Sequence, residues 1–204
     1  AGQSQRPPRP LWRNLDYMLL WSGQTVSSTG TQISQLAFPL LILALTHSPA
    51  SAGFAGALRA LPYLIFSLPA GALIDRWDRK RTMIVCDIGR ALSMASIPLA
   101  LALGQLGVLQ IYIVSLIEGT LFVFFNIAEV ACLPRVVSRE QLSAANAQNQ
   151  ATDGVTSLVG PSLGGVFYAA GSSIPFLADA ISYAASVCSL FFIKAKFQKE
   201  RSGV

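Results

Sequence analysis

Between Gly71 and Arg81 an apolar run of about one membrane thickness stops at Asp75. Four cations follow, Arg76, Arg79, Lys80 and Arg81, and a second apolar run opens at Met83. A loop this short cannot form a domain, so it has to be a tight turn between two helices. Lys and Arg gathered in a short turn between apolar runs mark the cytoplasmic side of a bilayer. Composition leaves no other class open. The chain is 52% hydrophobic and only 12% charged, against about 25% charged in an ordinary soluble domain. With a mean hydropathy of +0.52, it has too little polar surface to cover itself in water and reads as an integral membrane protein.

A spanning helix needs about 20 mostly apolar residues. Six runs meet this: Tyr17 to Ala44, Ala52 to Ile74, Thr82 to Leu103, Leu109 to Leu133, Ala144 to Ala170, and Phe176 to Ile193. Residues 1–16 form a polar, Pro-rich, basic tail, residues 17–193 a six-helix transmembrane domain, and residues 194–204 a second basic tail. Counting cations tests the arrangement. Of 15 Lys and Arg, 13 fall in the two tails, the loop after the second run and the loop after the fourth. The turns at His47, Gly104 and Gly171 carry none. Both termini are therefore expected in the cytoplasm of a multi-pass cell-membrane protein, as an even number of spans requires.

Several functions are excluded by the same reading. The pI of about 9.4 does not indicate nucleic-acid binding, because the cations sit at the ends of apolar runs and form no continuous basic face. Cys86, Cys132 and Cys188 lie inside apolar runs and read as small packing residues. The single histidine, His47, lies in a turn, so no metal site is expected, and no cofactor. No His or Cys accompanies the buried carboxylates in a nucleophile–base set, so an enzyme is not expected. The first ten residues are polar and the first apolar run is too long for a cleavable signal peptide.

A charge at mid-bilayer costs at least about 2.5–3.5 kcal/mol on insertion scales, so each one needs a partner or a wet cavity. Arg59, Asp87, Arg90, Glu118, Glu129, Asp153 and Asp179 fall inside spans. Asp87 and Arg90, three residues apart, share a helical face and read as a structural ion pair. Glu118, Phe122, Asn126 and Glu129 recur at helical spacing and form one stripe, which lipid would not tolerate. That stripe is expected to face an aqueous cavity, with Glu118 near mid-membrane and Arg59 as its possible partner. Gln24, Ser28, Gln32 and Gln35 form a second polar face on the first span. Asp153 and Asp179 lean towards structural roles, although Asp153 joins Glu118, Glu129 and Arg59 as a candidate for ion coupling. In the fifth span Pro161 removes a backbone donor, and Gly160, Gly164 and Gly165 allow a neighbouring helix to approach closely.

Three segments together resemble the major facilitator superfamily. Gly71-x-Leu-x-Asp75-Arg76-x-x-Arg79-Lys80 resembles the superfamily's loop signature between helices two and three. Gly160-Pro161-x-x-Gly164-Gly165 resembles the fifth-helix signature of its antiporters. Pro134-x-Val-Val-Ser-Arg-Glu140-Gln-Leu142, with Ala178-Asp179-Ala-Ile-Ser-Tyr further on, is similar to its macrolide-efflux and enterobactin-exporter branch. The resemblance implies an all-α membrane fold of six helices in two inverted three-helix repeats, the N-terminal half of a twelve-helix carrier. It implies efflux of an amphipathic small molecule by alternating access, driven by inward movement of a proton or other cation; the alternatives are uptake or export of a nutrient, siderophore or lipid by the same fold, or a non-transporting membrane protein. The partners implied are the bilayer, the substrate, the coupling ion and a C-terminal half. Gly71 would then permit close contact with that half, while Asp75, Arg76 and Arg79, with Lys80 beside them, would form a charge latch there. Asp78 departs from the loop pattern, where many members have glycine.

Overall fold

The computed structural model describes residues 10–195; most of both expected tails lies outside them. A short 3₁₀ turn, Leu11–Arg13, leads into six helices: α1 (Leu15–Thr46), α2 (Pro49–Ile74), α3 (Arg79–Ala102), α4 (Val108–Val136), α5 (Leu142–Ala170) and α6 (Ile174–Phe192). All but α5 are long and apolar enough to cross a membrane. α5 has the length but falls short in hydropathy, because its first half carries Asn146, Gln148, Asn149, Gln150, Thr152 and Asp153. The helix boundaries fall within a few residues of the expected ones. One difference of three residues is at Pro134, the start of an expected loop. There α4 continues to Val136, and the Val137 amide closes its last turn on the Leu133 carbonyl at 3.1 Å.

The packing has an internal symmetry. α1 packs on α5 and α6, α4 packs on α2 and α3, and α3 meets α6. Exchanging α1 with α4, α2 with α5 and α3 with α6 maps these principal contacts onto themselves. Alternation across the bilayer makes α1 and α4 run in opposite directions. The triplets α1–α3 and α4–α6 are therefore inverted repeats.

Capping and cross-helix bonds tie together the helix ends on the side of both chain termini. Asn14 caps α1 by accepting the Tyr17 amide at 3.2 Å, and its Nδ2 donates to the Val136 carbonyl at 2.7 Å. Asp78 caps α3 by accepting the Arg81 amide at 2.9 Å, a role in which Asp is among the preferred residues. The carboxylate that departs from the loop pattern thus starts a helix. Lys80 Nζ reaches the end of α6, donating to the Ile193 carbonyl at 2.7 Å and the Phe191 carbonyl at 3.4 Å, where a cation also suits the helix dipole.

The buried apolar residues form two clusters. One holds Tyr17, Ile74, Met83, Phe125 and Leu190 towards the side of the chain termini; the other holds Phe38, Ile42, Met94, Ile97 and Phe176 towards the opposite side. On α3 the buried pair Asp87 and Arg90 lies between Met83 and Met94, so a polar layer separates the two.

Candidate functional site

A cavity of about 950 Å³ opens among α1, α2, α4 and α5. α1 lines it with Gln24, Ser28, Gln32 and Gln35, all from its polar face. α4 contributes Phe122, Asn126 and Glu129, one helical turn apart in register. α2 contributes Arg59 and Tyr63, and α5 contributes Asn149, Gln150 and Asp153. Aromatic rings, carboxamides and hydroxyls alternate on these walls, as suits an amphipathic molecule with hydrogen-bonding groups. Glu129 and Asp153 make no ion pair among the described residues.

Glu118 is placed differently from the rest of its stripe. It is buried, at 1% exposure, and sits behind the cavity wall formed there by Ser115, Gly119 and Arg90. The reason is a cation in that wall. Arg90 Nε donates to Glu118 Oε2 at 3.2 Å, and Ser93 Oγ donates to Oε1 at 2.9 Å. The expected pairing of Glu118 with Arg59 is therefore corrected. The Arg59 guanidinium instead lies over the Phe38 ring, 5.7 Å from its centroid, a contact that favours a cation over an aromatic face.

Arg90 is the hub that the sequence reading reduced to half of a structural pair. Its Nη1 lies 3.8 Å from Asp87 Oδ1 on its own helix. Its Nη2 donates to Tyr183 Oη of α6 at 2.5 Å and to Thr31 Oγ1 of α1 at 3.4 Å. Tyr183 Oη in turn donates to Glu118 Oε2 at 3.3 Å. Four helices thus meet on one guanidinium, which also forms part of the cavity wall. Tyr183 was within reach of sequence reasoning, since it follows Asp179 by four residues on one face of α6. Asp179 lies next to this network and is buried among hydroxyls. Ser34 Oγ donates to its Oδ2 at 2.5 Å, and Ser182 Oγ to its Oδ1 at 3.3 Å.

The glycine motifs divide into contact and open positions. A Cβ on Gly160 would lie 2.3 Å from Gln32 Cβ, and one on Gly164 2.7 Å from the Ile33 carbonyl oxygen. These two glycines set the crossing of α5 on α1. Gly165 has ordinary room, with Leu36 Cδ2 at 3.9 Å, and α5 runs unbroken through Pro161. A Cβ on Gly71 would meet nothing within 4 Å. In the same loop Arg79 Nη2 bonds Asp75 Oδ1 at 3.2 Å and Arg79 Nη1 donates to the Ala131 carbonyl of α4 at 2.9 Å. Arg76 is exposed and makes no ion pair among the described residues.

Comparison with known proteins agrees with this architecture. The family model for the transmembrane secretion effectors matches residues 8–202. Macrolide efflux protein A of Streptococcus pyogenes is 29% identical over 157 residues, 77% of this chain and 38% of that protein. The multidrug efflux pump Tap of Mycolicibacterium fortuitum is 28% identical over 158 residues, 74% and 38% of the two chains. The enterobactin exporter EntS of Citrobacter koseri is 29% identical over 136 residues, 67% and 33% respectively. The chain spans less than half the length of these relatives and corresponds to their N-terminal part.

Proposed function

Because this chain belongs to the transmembrane secretion effector family of the major facilitator superfamily, we propose that it is the N-terminal half of an efflux carrier that works by alternating access. Its partner is a C-terminal half of six further helices, and both ends of the present chain lie on the cytoplasmic side. The substrate is an amphipathic small molecule of the kind that macrolide efflux protein A and Tap are named for. It binds in the cavity between α1, α2, α4 and α5, whose mixed aromatic and amide walls suit such a molecule. Gly71 and the Asp75–Arg79 pair face the C-terminal half; the open space over Gly71 supports this.

The observation that carries the reading is the Arg90–Glu118 pair at the wall of that cavity. A proton arriving at Glu118 removes its negative charge and frees the guanidinium. Arg90 bonds to α1, α4 and α6, so weakening one of these contacts changes how the helices are held. A charge change at one side chain is thereby converted into a shift between two packings. Glu118 is the coupling carboxylate, with Glu129, Asp153 and Arg59 at the cavity wall setting the field that the substrate meets.

The test uses the natural full-length protein in liposomes, with a macrolide as probe. Coupling between two ligands is typically about 1–3 kcal/mol, or about 5–150-fold in affinity. Macrolide affinity is expected to change by a factor in that range between proton-loaded and proton-free forms. Glu118→Gln is expected to abolish this dependence together with macrolide-stimulated proton flux. Undiminished flux in Glu118→Gln would remove Glu118 from the coupling role.

A further inference from the structure

Asp87 is fully buried, at 0% exposure, and the coupling scheme above does not use it. The Ser186 hydroxyl lies beside it on α6, yet neither carboxylate oxygen makes a hydrogen bond of normal geometry. Among the described residues its one counter-charge is Arg90 Nη1, 3.8 Å away. Glu118 by contrast holds the same guanidinium at 3.2 Å and takes further bonds from Ser93 and Tyr183. The layer therefore contains two carboxylates and one guanidinium, and the guanidinium is committed to one of them. Leaving an ionised carboxylate buried without hydrogen bonds is costly. A neutral, proton-bearing Asp87 removes that cost.

We propose that Asp87 is a second proton-carrying site and that Arg90 is shared between it and Glu118, so that a proton on one carboxylate hands the guanidinium to the other. This rests on the proton-coupled reading of the cavity. In the arrangement seen here Asp87 holds the proton and Glu118 is ionised. When Glu118 takes up a proton from water, Arg90 swings its charge towards Asp87, which releases its own proton to water. Each step moves one proton between solvent and a carboxylate and breaks no other covalent bond. The two sites exchange, and the layer stays neutral as Arg90 changes partner.

The Asp87 side of the layer approaches the cavity without passing Glu118. Gln24, at the cavity wall, donates to Ser186 Oγ at 3.3 Å. One hydrogen bond thus stands between the cavity and the hydroxyl beside Asp87. The other titratable and charged groups around Asp87 are Cys86 and Arg90 on α3, Glu118 and Glu129 on α4, and Tyr183 on α6, with Asp179 beyond Tyr183. From α1 the neutral Gln24 and Thr31 bond to this layer.

The experiment is infrared difference spectroscopy of the protonated-carboxyl band, recorded through a pH titration of the full-length protein in liposomes. Asp87→Asn is expected to lose one protonated-carboxyl component that in the wild type persists to higher pH than those of exposed carboxylates. Glu118→Gln keeps Asp87 but leaves Arg90 to it alone, so the Asp87 component should titrate at lower pH than in the wild type. This second readout does not need the Asp87 variant to fold. The proposal is overturned if Asp87→Asn removes no such component, or if Glu118→Gln leaves the midpoint of that component where it was. Transport is not measured in this test. A failure of macrolide-stimulated proton flux would therefore reject the coupling scheme separately from the protonation of Asp87.

Discussion

Arg90→Met should destabilise the six-helix half by about 3–5 kcal/mol, because removing one member of a buried ion network leaves its partners uncompensated. The guanidinium is 3% exposed and satisfies Glu118, Tyr183 and Thr31 at once. A methionine fills much of the volume but supplies no donor, so the loss comes from electrostatics and hydrogen bonding more than from a void. Its ring contacts with Tyr183, Phe122 and Phe125, at 4.1, 5.6 and 6.0 Å, also lose their cationic partner. Thermal unfolding of the purified protein in detergent measures the effect. Combining Arg90→Met with Glu118→Gln and Asp87→Asn should recover much of the stability, since a neutralised buried layer no longer holds unpaired charge. Transport should stay absent in the triple variant. Recovered stability without recovered function would separate the structural role of this layer from its coupling role. A single Arg90→Met variant as stable as the wild type would show that the network does not hold the helices.

Gly119→Val should be as damaging, for a steric reason. A Cβ at this position would lie 2.1 Å from the Arg59 carbonyl oxygen, 2.9 Å from the carbonyl carbon and 3.2 Å from Cα. All three are backbone atoms, so no side-chain rotation relieves the clash, and α2 has to move away from α4. Overpacking of this kind costs about 1–3 kcal/mol and occasionally more. Here the displaced helix also carries Arg59 at the cavity wall. Expression and monodispersity of Gly119→Val should fall well below those of Gly71→Ala, whose added methyl group meets nothing within 4 Å. Equal behaviour of the two variants would contradict the close crossing of α2 and α4. A transport defect in a well-folded Gly71→Ala protein would report contact with the C-terminal half.

Much of the fold could be read in the sequence because bilayer physics acts on stretches of chain. The length of each apolar run and the placement of cations at alternate ends identified six spans without any tertiary information. α5 was the weakest case by hydropathy and the clearest by motif, since Gly160 and Gly164 mark where it crosses α1. The cavity was legible for a similar reason: Gln24, Ser28, Gln32 and Gln35 on one helix and Phe122, Asn126 and Glu129 on another repeat at helical spacing. Pairing between helices was not legible. The i,i+3 spacing of Asp87 and Arg90 was visible, but nothing local tells which cation faces Glu118. Depth alone favoured Arg59, which lies in α2, the direct neighbour of α4. Rotation of the helix about its own axis decided otherwise, turning Arg59 onto Phe38 and bringing Arg90 to Glu118. The same rotation buried Glu118 while leaving Glu129 on the cavity wall.

The central claim is that this cavity is the transport pathway. Solvent accessibility of Asn126 tests it most directly. In a full-length protein with Cys86, Cys132, Cys188 and every cysteine of the C-terminal half replaced, a single cysteine at Asn126 is challenged with a membrane-impermeant thiol reagent applied from each side. Reaction from the cytoplasmic side in one conformation and from the outer side in another, slowed in both by bound macrolide, is the predicted result. A cysteine at Asn126 that reacts from neither side, or at a rate that macrolide leaves unchanged, would contradict the claim.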